Sequence, residues 1–191
     1  MIAQNLVNTL KNDYSISNCT LNDLEKCVFK KYVPKNVIIQ NELEIAENIF
    51  FIESGIVRHY SVYNGKEYTT WFSQEGEFLA NSSFFLRKPT YDILITLEEC
   101  TLYGISNGDF ECLCSAHHDF EHFVRLVITE LFVSLDEHYT LRNLLNAEEK
   151  YKLLMTKYPG FLQRVPLLYL ANFLGITPET LSRVRKKISI S

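Results

Sequence analysis

The sequence predicts an α+β fold in three parts: a small antiparallel β-barrel or roll, a long helix after it, and a helix-turn-helix at the C-terminal end. Three observations carry this. Between about Lys31 and Ile105, short apolar segments such as NIFFI, IVRHYSVY and DILITL alternate with turn signals. From about Asn107 to Asn143, apolar residues recur at helical spacing. Over residues 167–186, small, turn-forming and apolar residues fall where two closely crossing helices need them.

The composition allows one or two domains with real cores: 191 residues, 47% hydrophobic, 22% charged, with 7 Gly and 5 Pro. No apolar run approaches the roughly 18 residues of a membrane span. The richest stretch, FVRLVITELFVSL, is interrupted by Arg125 and Glu130. MIAQNLVNTL has no basic residue ahead of its apolar positions and no small-residue cleavage pattern, so no signal peptide is expected. Cys19, Cys27, Cys100, Cys112 and Cys114 form no even, closely spaced framework, which suits reduced thiols in the cytoplasm.

Each element has its own signal. Ile2, Leu6 and Leu10 make a short amphipathic helix over 2–11, and a second helix is expected from Thr20, with Asp23 three residues on, burying Leu21, Leu24 and Val28. Asn64-Gly65 marks a type I′ hairpin, because both central residues need positive φ; Ser54-Gly55 separates two further strands. In the long run, Phe120, Phe123, Val124, Val127, Ile128, Leu131, Phe132 and Leu135 cover a wide arc, so two sides need covering. The barrel can cover one side. A second copy of the helix can cover the other, or the single chain buries both. Residues 147–188 read as three helical segments broken at Tyr158-Pro159-Gly160, Val165-Pro166 and Gly175.

Charge divides the chain. Residues 1–143 carry 11 Lys and Arg against 20 Asp and Glu, whereas residues 144–191 carry 8 against 3. An acidic body with a basic end points the last quarter towards a polyanion. In that quarter Leu170, Leu174, Ile176, Leu181 and Val184 make a shared helix-turn-helix core. Ala171 is small for close crossing, and Gly175 permits the turn. Thr177 suits an N-cap and Pro178 the first turn. Glu179, Thr180, Ser182, Arg183, Lys186 and Lys187 remain on the outer arc, with Arg185 adding to the basic ending. Such a helix fits a DNA major groove, where Glu179 can accept from a cytosine amine and Arg183 can donate twice to guanine.

With these parts in order, the chain resembles the Crp/Fnr family of bacterial transcription regulators. The resemblance rests most on ENIFFIESGIVRHY, similar to the family's strand, Ser-Gly turn and next strand, and on GITPETLSRVRKKI, similar to its recognition helix. It implies a cyclic-nucleotide-type, cupin-like β-roll (a double-stranded β-helix) acting as a sensor, within a first domain over residues 1–143. That domain would end in a dimerisation helix over about 110–143, and residues 144–191 would bind DNA. It also implies, as partners, double-stranded DNA, a second copy of the chain, RNA polymerase and a small effector. Thr177, Pro178, Glu179, Thr180, Ser182, Arg183, Arg185, Lys186 and Lys187 would face DNA, with helix 177–188 in the groove. The family's β-hairpin wing is expected to be reduced or missing, since only about four residues follow Lys187.

The resemblance carries an effector pocket onto Gly76, Glu77, Thr90 and Tyr91. Cyclic-AMP-binding members use Gly-Glu for the ribose and Arg-Ser for the phosphate. Here Gly76-Glu77 fits the first pair, but Thr90-Tyr91 stands where Arg-Ser is expected, with Arg87 and Lys88 beyond Pro89. Losing the bidentate arginine argues against cyclic AMP. Cys19 and Cys27 do not make the tight cluster of the iron–sulfur members, and a lone His59 is a poor haem signal.

His118 and His122 share a helix face at i, i+4 but make no HExxH motif, so no metal is assigned. A cupin-type enzyme needs several histidines within the barrel, and only His59 lies there. No phosphate loop, G-x-S-x-G or triad is present, so the chain reads as a regulator rather than an enzyme. The remaining alternatives are a dimer that binds DNA without an effector and a β-roll interaction module that does not bind DNA.

Overall fold

The computed structural model describes residues 4–190. The chain starts with helices α1 (Gln4–Asn12) and α2 (Asn18–Cys27). Leu6 and Leu10 of α1 are buried as their spacing requires, while Ile2 lies outside the described residues. The second helix starts earlier than expected. Ser17 is its N-cap, accepting from the Thr20 N–H at 3.2 Å. Thr20 is buried instead, because its hydroxyl donates to the Asp119 carboxylate at 2.7 Å.

Eight strands follow: β1 (Phe29–Val33), β2 (Ile38–Gln40), β3 (Asn48–Ser54), β4 (Val57–Tyr63), β5 (Lys66–Ser73), β6 (Phe78–Leu79), β7 (Ile93–Thr96) and β8 (Cys100–Ser106). A short helix α3 (Ser82–Leu86) lies between β6 and β7. They form two antiparallel four-stranded sheets, β1-β8-β3-β6 and β2-β7-β4-β5. The roll interior is closed by Val33, Phe50, Ile52 and Leu102 of the first sheet against Val57 and Leu94 of the second.

Asn64 and Gly65 take φ of 51° and 71°, closing the β4–β5 hairpin with the twist a type I′ turn supplies. Within that hairpin the register shifts between His59 and Tyr60, so Thr70 is an extra residue on β5. A bulge of this kind bends its strand and re-aims neighbouring side chains. Strand β5 is also the free edge of its sheet.

The long helical run is two helices, α4 (Asn107–Ala116) and α5 (His118–Leu144). His117 is extended (φ −130°, ψ 106°) and ends α4, its N–H bonding the Leu113 carbonyl. Asp119 fixes the restart by accepting from the backbone N–H groups of Phe120 and Ser17 and from Thr20. Desolvation works against the ionised carboxyl, yet these donors together hold it down to about 2. The N-terminal half of α5 buries Phe120 and Phe123 in a core shared with α1, α2, Phe84 and Phe110. Val124 and Val127 pack partly against that core, but the chain leaves the remaining arc open. Phe132 is 68% exposed and Tyr139 71%, with Ile128, Leu131, Val133 and Leu135 also exposed.

In the C-terminal region the three expected breaks separate four helices: α6 (Ala147–Lys157), the single turn α7 (Phe161–Arg164), α8 (Leu167–Leu174) and α9 (Pro178–Ile190). A capping box at Asn146 and Glu149 starts α6. These helices do not have a core of their own. Leu154, Phe161, Leu170, Phe173 and Leu181 pack in one cluster with Ile56, Phe72 and Leu97 from the roll.

Candidate nucleic-acid interface

The helix-turn-helix forms as its residue pattern requires. Leu170, Ala171 and Leu181 are fully buried between α8 and α9, with Ile176 and Val184 packed against them. Gly175 has φ of 66° and the Ile176 N–H returns to the Ala171 carbonyl at 3.0 Å, closing the left-handed end of α8. Thr177 caps α9, accepting from the Thr180 N–H at 3.2 Å.

With Leu181 pinned inward, α9 turns Thr177, Glu179, Ser182, Arg183, Lys186 and Lys187 outward, while Pro178, Thr180 and Arg185 are half-buried. The outer residues are not equivalent. Arg183 forms no ion pair among the described residues and donates to the Thr180 hydroxyl at 3.3 Å. Lys187 pairs with Glu148 of α6 at 2.6 Å, and Lys152 joins the same carboxylate at 2.9 Å. These two ammonium groups hold Glu148 down to about 2. Glu179 is lowered by its own backbone N–H and by the Thr177 hydroxyl, so it stays an acceptor.

Behind the two helices lies an attachment that sequence reasoning missed. The Asn172 side chain of α8 pairs with the free edge of β5: its Oδ1 accepts from the Thr69 N–H at 2.6 Å and its Nδ2 donates to the Glu67 carbonyl at 2.9 Å. The buried guanidinium of Arg58 lies 3.8 Å from the centre of the Tyr169 ring and bonds Glu67 at 2.6 Å. Arg164 bridges Glu75 and Glu98 of the roll. Phe173 stacks on His138 of α5, ring centres 4.1 Å apart, and meets Trp71 and Phe72 edge-on. A half-buried helix amide and a charge pair across 89 residues leave no periodic trace.

The four residues expected to form an effector pocket fall in two places. Gly76 and Glu77 close the turn after β5, and both line a cavity of about 190 Å³ with Tyr14, Trp71, Glu130 and Tyr158. Burial pushes the Glu77 carboxyl up to about 7. Thr90 and Tyr91 are not among that cavity's walls. Tyr91 is exposed, and the Thr90 carbonyl accepts from the Leu43 N–H at 2.7 Å. The nearby Arg87 is committed elsewhere, bonding the Ala46 carbonyl at 2.7 Å and Glu47 at 3.0 Å.

His118 and His122 share one face of α5, and His122 meets Arg125 at 2.9 Å. The ligand-type atoms that do converge are on Cys19, Asp23 and His117, within 4.8 Å of one another. There Asp23 bonds His117 and Lys26 and so ties α2 to the α4–α5 break. His59 is buried against the Ser73 hydroxyl at 3.0 Å, and burial holds its imidazole down to about 4. Among the described residues no helix is long and apolar enough to cross a membrane.

Residues 29–117 match the cyclic nucleotide-binding domain family. With the helices on either side, they share their fold with solved structures of Crp/Fnr-type regulators. Three solved structures are similar. FixK2 from Bradyrhizobium japonicum has 15% identity over 85% of each chain, with a TM-score of 0.77. A protein assigned as a Crp/Fnr-family transcriptional regulator from Eubacterium rectale has 14% identity over 95% of this chain and 86% of its own, with a TM-score of 0.70. The c-di-GMP responsive global regulator CLP from Xanthomonas campestris has 16% identity over 91% and 92%, with a TM-score of 0.67. No curated protein sequence matches the chain.

Proposed function

We propose that this chain is a homodimeric transcription regulator that reads double-stranded DNA with α9. The observation that carries the reading is the two-sidedness of α9. Leu181 is buried against α8, while Glu179, Ser182, Arg183 and Lys186 stand on an open, polar arc that carries two cations and one acid. Arg183 and Glu179 would read base edges, and Thr177, Thr180, Lys186 and Lys187 would hold phosphates. Pro178 would shape the first turn, and Arg185 would keep its half-buried place beside the backbone.

The exposed apolar stripe of α5 supports a two-fold pair of long helices. A pair of this kind would set two copies of α9 over half-sites about one helical turn, roughly 34 Å, apart. The same reading makes contact with RNA polymerase a matter for the DNA-bound dimer.

Cyclic AMP is not the expected effector. The position of the phosphate-binding arginine is Thr90, and Arg87 is tied to Ala46 and Glu47. The filled roll interior around Phe50, Ile52 and Leu102 favours either an effector outside the roll or none. Selection from a random duplex library followed by footprinting tests the proposal. It predicts a two-fold symmetric site protected over two successive major grooves. Recovery of unselected sequences, or of one isolated half-site, would count against it.

A further inference from the structure

A cavity lined by three cations lies at the joint between the long helix, the roll edge and the helix-turn-helix, not inside the roll. Its walls come from α5, α6, α8 and β5, and its volume is about 60 Å³, enough for a few waters or one compact anionic group, with an open mouth. Arg142, Lys150 and Lys157 all face it. Lys157 is paired with Glu137 at 2.9 Å, whereas among the described residues Arg142 and Lys150 have no acidic partner.

His138 stands between these cations. Its ring is stacked on Phe173 and edge-on to Trp71, and its Nε2 is buried with no hydrogen-bond partner. A buried imidazole nitrogen without a partner marks a place where a polar group is wanted. Burial, and then the charges of Arg142, Lys157 and Lys150, hold His138 down to about 4, so at neutral pH the ring is neutral. Lys150 is likewise lowered by burial and by Arg142, the response of like charges held together.

From this geometry we infer that the joint is a binding site for a small organic phosphate. Its dianionic head would lie among Arg142, Lys150 and the His138 Nε2, and its flat apolar body against Trp71 and Tyr158. A guanidinium beside an ammonium suits a phosphate, since the planar fork gives two parallel hydrogen bonds and the second cation neutralises the remaining charge. The aromatic walls supply the apolar contact that most small-molecule sites have.

The position gives the ligand a consequence. Arg142 crosses from the end of α5 to the turn of the helix-turn-helix, where a Cβ built on Gly175 would meet its Nε at 2.8 Å. An anion held there fastens α5, α6 and α8 together and so fixes how α9 is presented. This regulatory role rests on the DNA-reading proposal, whereas occupancy of the site does not, so the two can fail separately.

The test uses the whole chain without DNA, at constant ionic strength, with phenyl phosphate and inorganic phosphate followed by calorimetry and thermal melting. Phenyl phosphate is expected to bind saturably and raise the melting temperature, about tenfold more tightly than inorganic phosphate. Arg142→Gln and Lys150→Gln are each expected to weaken it by about tenfold, while Lys35→Gln on the roll leaves it unchanged. Because Lys150→Gln relieves charge repulsion, that variant stays folded and melts no lower than the parent in phosphate-free buffer. The inference is overturned by absence of saturable binding, by binding indifferent to both substitutions, or by no advantage of phenyl phosphate over inorganic phosphate. Calorimetry on the ligand-bound parent with a DNA duplex then reads the regulatory role apart from occupancy.

Discussion

Asn172 completes the edge of the β-roll: its side-chain amide accepts from the Thr69 N–H at 2.6 Å and donates to the Glu67 carbonyl at 2.9 Å. One side chain of the first helix-turn-helix helix thus satisfies two backbone groups that a neighbouring strand would otherwise take. It covers part of an exposed strand edge, a feature that proteins otherwise protect by charge or distortion. Asn172→Ala leaves the Thr69 N–H without its partner. It is expected to cost about 1–3 kcal/mol in urea denaturation and to speed amide exchange at Thr69. Unchanged exchange there would show that the pairing does not hold the two parts together.

Arg164 fastens the same two parts by charge, bridging Glu75 and Glu98 from α7. Desolvation raises the Glu75 carboxyl, but the Arg164 guanidinium and the Gly55 N–H more than offset it, so its pKa lies below the ordinary value. For a lowered acid, the stabilisation is full above the unfolded pKa and is lost as pH falls through the folded one. Arg164→Gln is therefore expected to destabilise by about 1 kcal/mol at pH 7, a partly exposed pair being screened by solvent, and by less at pH 3, measured by denaturant melts at each pH.

The roll has its own acid-sensitive group. His59 is buried at the hairpin bulge, neutral, with its pKa held down to about 4. A base lowered by folding contributes fully above its unfolded value, near 6.5, and loses that contribution as pH falls towards the folded value, since only the unfolded chain then takes the proton. Between pH 7 and pH 5 the parent is expected to lose about 2 kcal/mol through this group. His59→Gln should flatten that part of the stability curve, and a curve of unchanged slope would remove His59 as its source.

Much of this fold is legible from local chemistry. Asn64-Gly65, Gly175 and Thr177 each act within a few residues, and all three do in the structure what their types dictate. Thr20 looked like a helix cap because nothing nearby says that it will be buried against Asp119, 99 residues on. The break at His117 was hidden for a related reason: the run on both sides is apolar at helical spacing, and the interruption depends on Asp119 meeting Ser17 and Thr20. The outward arc of α9 follows from the position of Leu181. Its attachment through Asn172, Arg164 and Phe173 depends on tertiary neighbours and leaves no pattern along the chain.

The open face of α5 predicts an assembly. Phe132, Tyr139 and Leu135 lie exposed on a helix whose other side is already covered, more apolar surface than a lone soluble helix normally shows. Phe132→Asp is expected to turn a dimer into a monomer in sedimentation equilibrium, with the roll's melting temperature little changed. A parent that sediments as a monomer at every concentration would contradict the pairing.

Whether α9 reads DNA is decided by fluorescence anisotropy with the footprinted duplex, titrated in salt. The parent is expected to bind with a log–log salt slope of about −0.9 for each phosphate neutralised. Arg183→Ala should lose about 1–3 kcal/mol of preference for that duplex over unrelated DNA while keeping most of the slope. If the parent and Arg183→Ala bind alike, or neither binds at low salt with or without phenyl phosphate, the basic arc of α9 is not a reading head.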